Sequence, residues 1–238
     1  MNYKWVIFEI TKKCTNNCPI CFQRDIDFKD ITMDEFKKSL KKLGSGPEIR
    51  LLGGEPTLHP NFIEMLEFIH ENGNDANFST NGYVLSQNQE MVDRLFEIEK
   101  GGKLTANVSM NGGLSVDSTI KLDGKNDLPI KLKCLENLKD LENLSVSMVI
   151  DRGVNEDNVD DIFEIQKKYN VKNLLFRGNI MDKNSYKTNE FLYLMLNRKL
   201  FSRRDMAKFY ISGFMSKKCK GKHCCIGILK NGINIFFH

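Results

Sequence analysis

Between residues 3 and 177 strand-like and helix-like segments alternate six times, and few folds accommodate that rhythm. Residues 3–10 read as a buried strand rich in β-branched and aromatic residues, with further strands predicted at 49–52, 76–79, 103–110, 144–150 and 171–177. Thr32-Met33-Asp34-Glu35 spells a capping box, and Met33, Phe36, Leu40 and Leu43 then form one apolar helical face that Gly44 ends. Phe62, Ile63, Leu66 and Ile69 line a second helix closed by Gly73. Met91, Leu95 and Ile98 point inward from a third over 86–98, and helices follow at 129–141 and 156–169. Cys134, among Ile130, Leu135, Leu138 and Leu141, reads as a small buried hydrophobe. Strands joined through helices must be parallel, with right-handed crossovers. Six units where a closed barrel has eight predict an α/β fold, a partial (β/α)6 TIM-like barrel.

The chemistry-bearing residues gather at the strand ends. Cys14-Thr-Asn-Asn-Cys18-Pro-Ile-Cys21 follows the first strand with C-x3-C-x2-C spacing, and the next cysteine, Cys134, is far away. A zinc module usually supplies four ligands. Three thiolates on one loop suit a cuboidal iron–sulfur cluster with one iron left open to a small chelating molecule. The blander readings are a zinc knuckle or unrelated thiols. Gly53-Gly54-Glu55-Pro56 ends the second strand, Ser79-Thr80-Asn81-Gly82 the third, and Ser109-Met110-Asn111-Gly112-Gly113 the fourth. Glycine lets backbone come close to a ligand. His59 is readable as a base, but more simply as a polar loop group near a helix start. The connector 112–127 is long for a βα loop, and such loops tend to be functional or mobile.

These motifs, in this order, resemble the radical S-adenosylmethionine (SAM) enzymes over about residues 1–180. The resemblance implies that Cys14, Cys18 and Cys21 ligate a 4Fe–4S cluster whose open iron is chelated by SAM. Gly53, Gly54 and Glu55 would receive the SAM α-amino group, with Pro56 shaping the turn, and Thr80 and Asn81 would lie near its methionine portion. Ser109 and Asn111 would contact carboxylate or ribose; Arg177, at the sixth strand's end, is a further candidate, although an arginine there can equally make a salt bridge. The family usually has an aromatic residue just before the third cysteine; here Ile20 stands there, so Ile20 or Phe22 is expected over the adenine. The implied reaction is reductive cleavage of SAM to a 5′-deoxyadenosyl radical that takes a hydrogen atom from substrate, with the electron from a donor such as flavodoxin or ferredoxin. The expected substrate is a peptide or protein; a glycyl-radical activase or a small-metabolite enzyme are alternatives. From another class, an iron–sulfur electron carrier or metal-binding module is weighed against these, but a carrier needs no SAM-site motifs.

The chain divides by pattern into a core at 1–182 and a C-terminal helical, Cys-rich segment at 183–238, helical over 190–212. Cys219, Cys224, Cys225 and Asn231-Gly232 resemble the start of the SPASM or twitch domains that hold auxiliary clusters, for which His223 or His238 would supply a fourth ligand. They read as a second metal site, a zinc staple or free thiols. Asn231-Gly232 between apolar residues is a hairpin signal. The 35 basic and 31 acidic residues give +4, too mild to point to nucleic acid. No apolar run is long enough for a membrane span. Seven cysteines, an odd number, and no signal-peptide layout predict a reducing, cytoplasmic setting.

Overall fold

The computed structural model describes residues 4–23 and 28–182, isolated positions within 190–198, and the backbones of 226–230 and 233–237. In chain order the elements are β1 (Trp5–Thr11), α1 (Met33–Leu43), β2 (Glu48–Gly53), α2 (Phe62–Glu71), β3 (Ala76–Thr80), α3 (Gln89–Gly101), β4 (Leu104–Ser109), α4 (Val116–Asp123), α5 (Leu128–Leu138), β5 (Asn143–Ile150), α6 (Val159–Lys168), β6 (Asn173–Gly178), β7 (Ile226–Lys230) and β8 (Ile233–Phe237). They form two compact units, one of Met1–Asn17, Cys21–Ser109 and Pro129–Leu144, the other of Cys18–Ile20, Met110–Leu128 and Ser145–His238.

In the first unit β1, β2, β3 and β4 pair in sequence order, each parallel to the next. The capping box forms as expected: Thr32 accepts from the Glu35 amide while the Glu35 carboxylate accepts from the Thr32 amide, and Gly44 closes α1. Phe36 and Leu40 are buried, and Phe36 meets Phe8 edge-on at 5.0 Å. Phe62, Met65, Leu66 and Ile69 of α2 are fully buried, with Phe62 edge-on to Phe78 at 5.1 Å. Cys134 is fully buried in α5.

Two expectations change here. β1 is not buried throughout: Trp5 is 47% and Ile7 41% exposed. The period of two sends Trp5, Ile7 and Glu9 to one face and Phe8 and Ile10 to the other, and a continuous apolar run hides that division. The Trp5 ring lies 5.0 Å from the Arg50 guanidinium, which pairs with Glu48 at 2.6 Å. On α3 it is Val92, not Met91, that is buried with Leu95 and Ile98. The helix begins at Gln89, later than expected, because Asn88 caps it by accepting from the Met91 amide at 2.9 Å.

In the second unit β5 and β6 run parallel, in register from Ser145↔Asn173 to Ile150↔Gly178. The hairpin predicted around Asn231-Gly232 is present as β7 and β8, antiparallel to each other, and β8 adds to β6 in parallel. The 112–127 connector is corrected: it contains α4, capped by Ser115 and closed by Gly124 in the left-handed conformation. The helix reading of 190–212 is described only at isolated positions up to 198, and the residues Cys219, His223, Cys224, Cys225 and His238 lie outside the described residues, as does the boundary near residue 183.

Candidate functional site

The root of the cysteine loop is tied before the first cysteine is reached. The Ile31 amide donates to the Ile10 carbonyl at 3.1 Å, and Asp30 accepts from the Thr11 hydroxyl and the Lys13 ammonium, each at 2.7 Å. Those two donors hold the Asp30 carboxyl below the ordinary carboxylate range. Gln23 then donates to Glu9 at 2.8 Å. The loop therefore leaves and returns at fixed points, and Cys14 follows directly from the braced segment.

Gly53 and Gly54 lie against that segment. The Gly54 amide donates to the Thr11 carbonyl and the Glu55 amide to the Lys13 carbonyl, both at 2.7 Å. A methyl group on Gly53 would stand 2.2 Å from the Thr11 oxygen, and one on Gly54 2.4 Å from the Lys13 oxygen. These glycines are thus required by the protein's own backbone, whatever else approaches them.

Glu55 is 1% exposed. Its Oε1 accepts from the Thr57 hydroxyl at 2.6 Å, the Thr80 hydroxyl at 2.7 Å and the Thr57 amide at 3.3 Å; its Oε2 accepts from the Asn81 amide at 2.6 Å. Burial pushes this carboxyl above the ordinary range, against the pull of those donors. Both oxygens are spent joining the β2 and β3 ends, and Pro56 begins the short 3-10 turn Pro56–Leu58 that supplies Thr57. Asn81 extends the joint: its Nδ2 donates to Thr15 Oγ1 at 3.0 Å and to Cys14 Sγ at 3.7 Å. The cysteine loop and the ends of β2 and β3 thus meet, with Cys14, Gly54, Glu55, Thr80 and Asn81 in one hydrogen-bonded knot.

Cys14, Cys18 and Cys21 are free thiols. Desolvation raises the Cys14 thiol above its ordinary range, and the neighbouring charges of Glu55 and Cys21 add to this, against the Asn16 amide and Asn81. Among the described residues no three His, Cys, Asp or Glu side chains stand close enough to hold a metal ion. Ligand gathering and metal binding are coupled, and free thiols have no force drawing three sulfurs to one point. The donor set fits an iron–sulfur cluster in kind: soft sulfur ligands, a three-residue set, and electrostatic proximity of Cys14 to Cys21.

Ser109 is half-buried at the end of β4, and Phe22 is 42% exposed beside the loop. Asn111 is buried and committed to the scaffold. Its Oδ1 accepts from the Val149 amide at 3.0 Å, and its Nδ2 donates to Asp123 at 2.8 Å. Arg177, near the end of β6, is exposed. His59 is a buried structural group: Nδ1 accepts from the Asn61 amide at 3.1 Å, so Nε2 donates to the Ile31 carbonyl at 2.9 Å. Asp123 escaped the sequence reading because its segment read as loop. Ser115 three residues before Ser118, and Gly124 directly after Asp123, were the signals of a capped helix.

The radical SAM superfamily model matches residues 8–165. A 7,8-dihydro-6-hydroxymethylpterin dimethyltransferase of Methanocaldococcus jannaschii is 28% identical over 195 residues, 74% of this chain and 37% of the relative. PqqA peptide cyclase of Bradyrhizobium diazoefficiens is 30% identical over 112 residues, 45% of this chain and 28% of the relative. The chain therefore spans well under half the length of either. Streptococcus suis SuiB bound to S-adenosylmethionine matches in fold with a TM-score of 0.71 at 13% identity, over 99% of this chain and 50% of that one. This likeness agrees with the α/β partial-barrel class that the alternation predicted. With the family model covering most of the chain, the protein belongs to the radical SAM superfamily.

Proposed function

We propose that this chain is the core of an enzyme that reductively cleaves SAM at a 4Fe–4S cluster and abstracts a hydrogen atom from a peptide or protein. The knot joining Cys14, Gly54, Glu55 and Asn81 carries the reading, since neither an electron carrier nor a zinc knuckle needs it. Cys14, Cys18 and Cys21 would hold the cluster. When bound, it supplies the electron that splits the SAM sulfonium and so yields the 5′-deoxyadenosyl radical.

The chain's own residues bind and orient. The Gly53–Pro56 turn is held rigid from both sides, so its backbone groups are preorganised for the SAM amino group. Glu55 acts through that turn, because its carboxylate oxygens already have protein donors. Thr80 and Asn81 fix the neighbouring turn, and Ser109 and Arg177 are the candidates for the SAM carboxylate and ribose. Asn111 shapes the end of β4 with its side chain bound inside the protein. Phe22, exposed next to Cys21, or Ile20 would cover the adenine. Flavodoxin or ferredoxin is the class of electron donor proposed. No described helix is long and apolar enough to cross a membrane.

The peptide substrate is supported by the likeness to PqqA peptide cyclase. The match to the pterin dimethyltransferase favours a second reading, a small-molecule substrate. Anaerobically reconstituted protein given dithionite and SAM is expected to release 5′-deoxyadenosine. Iron–sulfur binding without SAM cleavage would leave the electron-carrier reading standing instead. Substrate class is decided by which addition, a candidate precursor peptide or a pterin, raises 5′-deoxyadenosine release and changes in mass.

A further inference from the structure

Asp123 occupies a position that helix electrostatics disfavours. It is the last residue of α4, at the negative end of the helix dipole, and is 1% exposed. A carboxyl kept there has contacts that hold it. Oδ1 accepts from Asn111 Nδ2 at 2.8 Å, and the same oxygen accepts from the Cys18 thiol at 3.9 Å. Asn111 is itself locked: its Oδ1 holds the Val149 amide, and its carbonyl accepts from Asn155 Nδ2 at 2.7 Å. The scaffold thus grips Asp123 on one side and presents it to the middle sulfur of the cysteine motif on the other.

We infer that Asp123 is a positioning residue for Cys18: it holds the thiol in place before a cluster is taken up and, as a fixed neighbour of the sulfur afterwards, biases the reduction potential of the cluster Cys18 would ligate. This rests on the function proposed above. A ligating sulfur gives up its proton, so the Asp123 contact loses its donor and sets a carboxylate beside an electron-rich sulfur. Negative charge near a cluster disfavours the reduced form, which is the more negative of the two. Replacing the carboxylate by an amide of the same shape keeps the Asn111 side of the network and removes the charge.

The test uses the full chain with its cluster reconstituted, as wild type, Asp123→Asn and Asp123→Ser. Iron and sulfide content and far-ultraviolet circular dichroism establish loading and folding, and electron paramagnetic resonance follows a redox titration. Folded variants that load as wild type does are expected to show a more positive midpoint potential. Folded variants that lose iron while retaining the wild-type dichroism support the positioning role equally. Loaded variants that keep the wild-type midpoint overturn the inference and leave the function untouched. Wild-type protein that takes up no iron and sulfide overturns the function and the inference together.

Discussion

A carboxylate with four donors is seldom a free hand, and Glu55 is one whose charge and shape serve the protein first. Burial raises its proton affinity in the folded state above that of the unfolded chain, whose ordinary glutamate value is about 4.3. The stability this contributes is complete below that range and is lost as pH rises through the raised folded value. Denaturant midpoints of wild type should therefore fall relative to those of Glu55→Gln as pH rises from about 4.5 to 8; parallel curves would show that the carboxylate is ionised throughout. Gly54→Ala places a methyl group against the Lys13 and Lys12 carbonyls, at 2.4 and 2.5 Å. It is expected to cost about 3 kcal/mol of stability. It should also lower iron loading, because the displaced segment leads into Cys14. Normal loading of Gly54→Ala would separate the glycine turn from the cysteine loop.

At the scale of elements, the end of β3 is steadied by the helix that precedes it. Phe62 at the start of α2 is fully buried and meets Phe78 of β3, two residues before Thr80. Phe62→Ala should lower unfolding stability by about 3–5 kcal/mol, measured by urea titration. Since Phe78 carries the strand that delivers Thr80 and Asn81 to Glu55, the same variant should bind SAM more weakly even after iron is restored to the wild-type level. Unchanged SAM binding would mean that the turn holds its shape without that packing. α4 shows the reverse dependence. Its local signals, Ser115 and Gly124, are good caps, but its few buried residues, among them Leu122 and Asp123, give little apolar periodicity.

For the whole molecule, the chain commits the first three cysteines to one loop and leaves Cys134 inert in the core, where burial raises its thiol far above the ordinary range. Replacing Cys14, Cys18 and Cys21 together by Ala should abolish the 4Fe–4S absorption band and SAM cleavage. Iron that survives the triple change would belong to Cys219, Cys224 and Cys225. An iron content equal to wild type would remove the ligand assignment altogether.

Strand–helix alternation, the capping box at Thr32 and the motifs at the first three strand ends were all legible in the chain, because each is written in local spacing and residue type. So was the plain role of His59. What no local pattern records is which atoms face one another. The exposed face of Trp5 and Ile7, the demand of the Thr11 and Lys13 carbonyls for glycine at Gly53 and Gly54, and the closure of Glu55 on Thr57, Thr80 and Asn81 arise from segments far apart in sequence. Asp123 reached Cys18 the same way, across 105 residues. Hydrophobic period selects an element and its inward side, while hydrogen-bond partners are chosen only when distant backbones are brought within 3 Å or so.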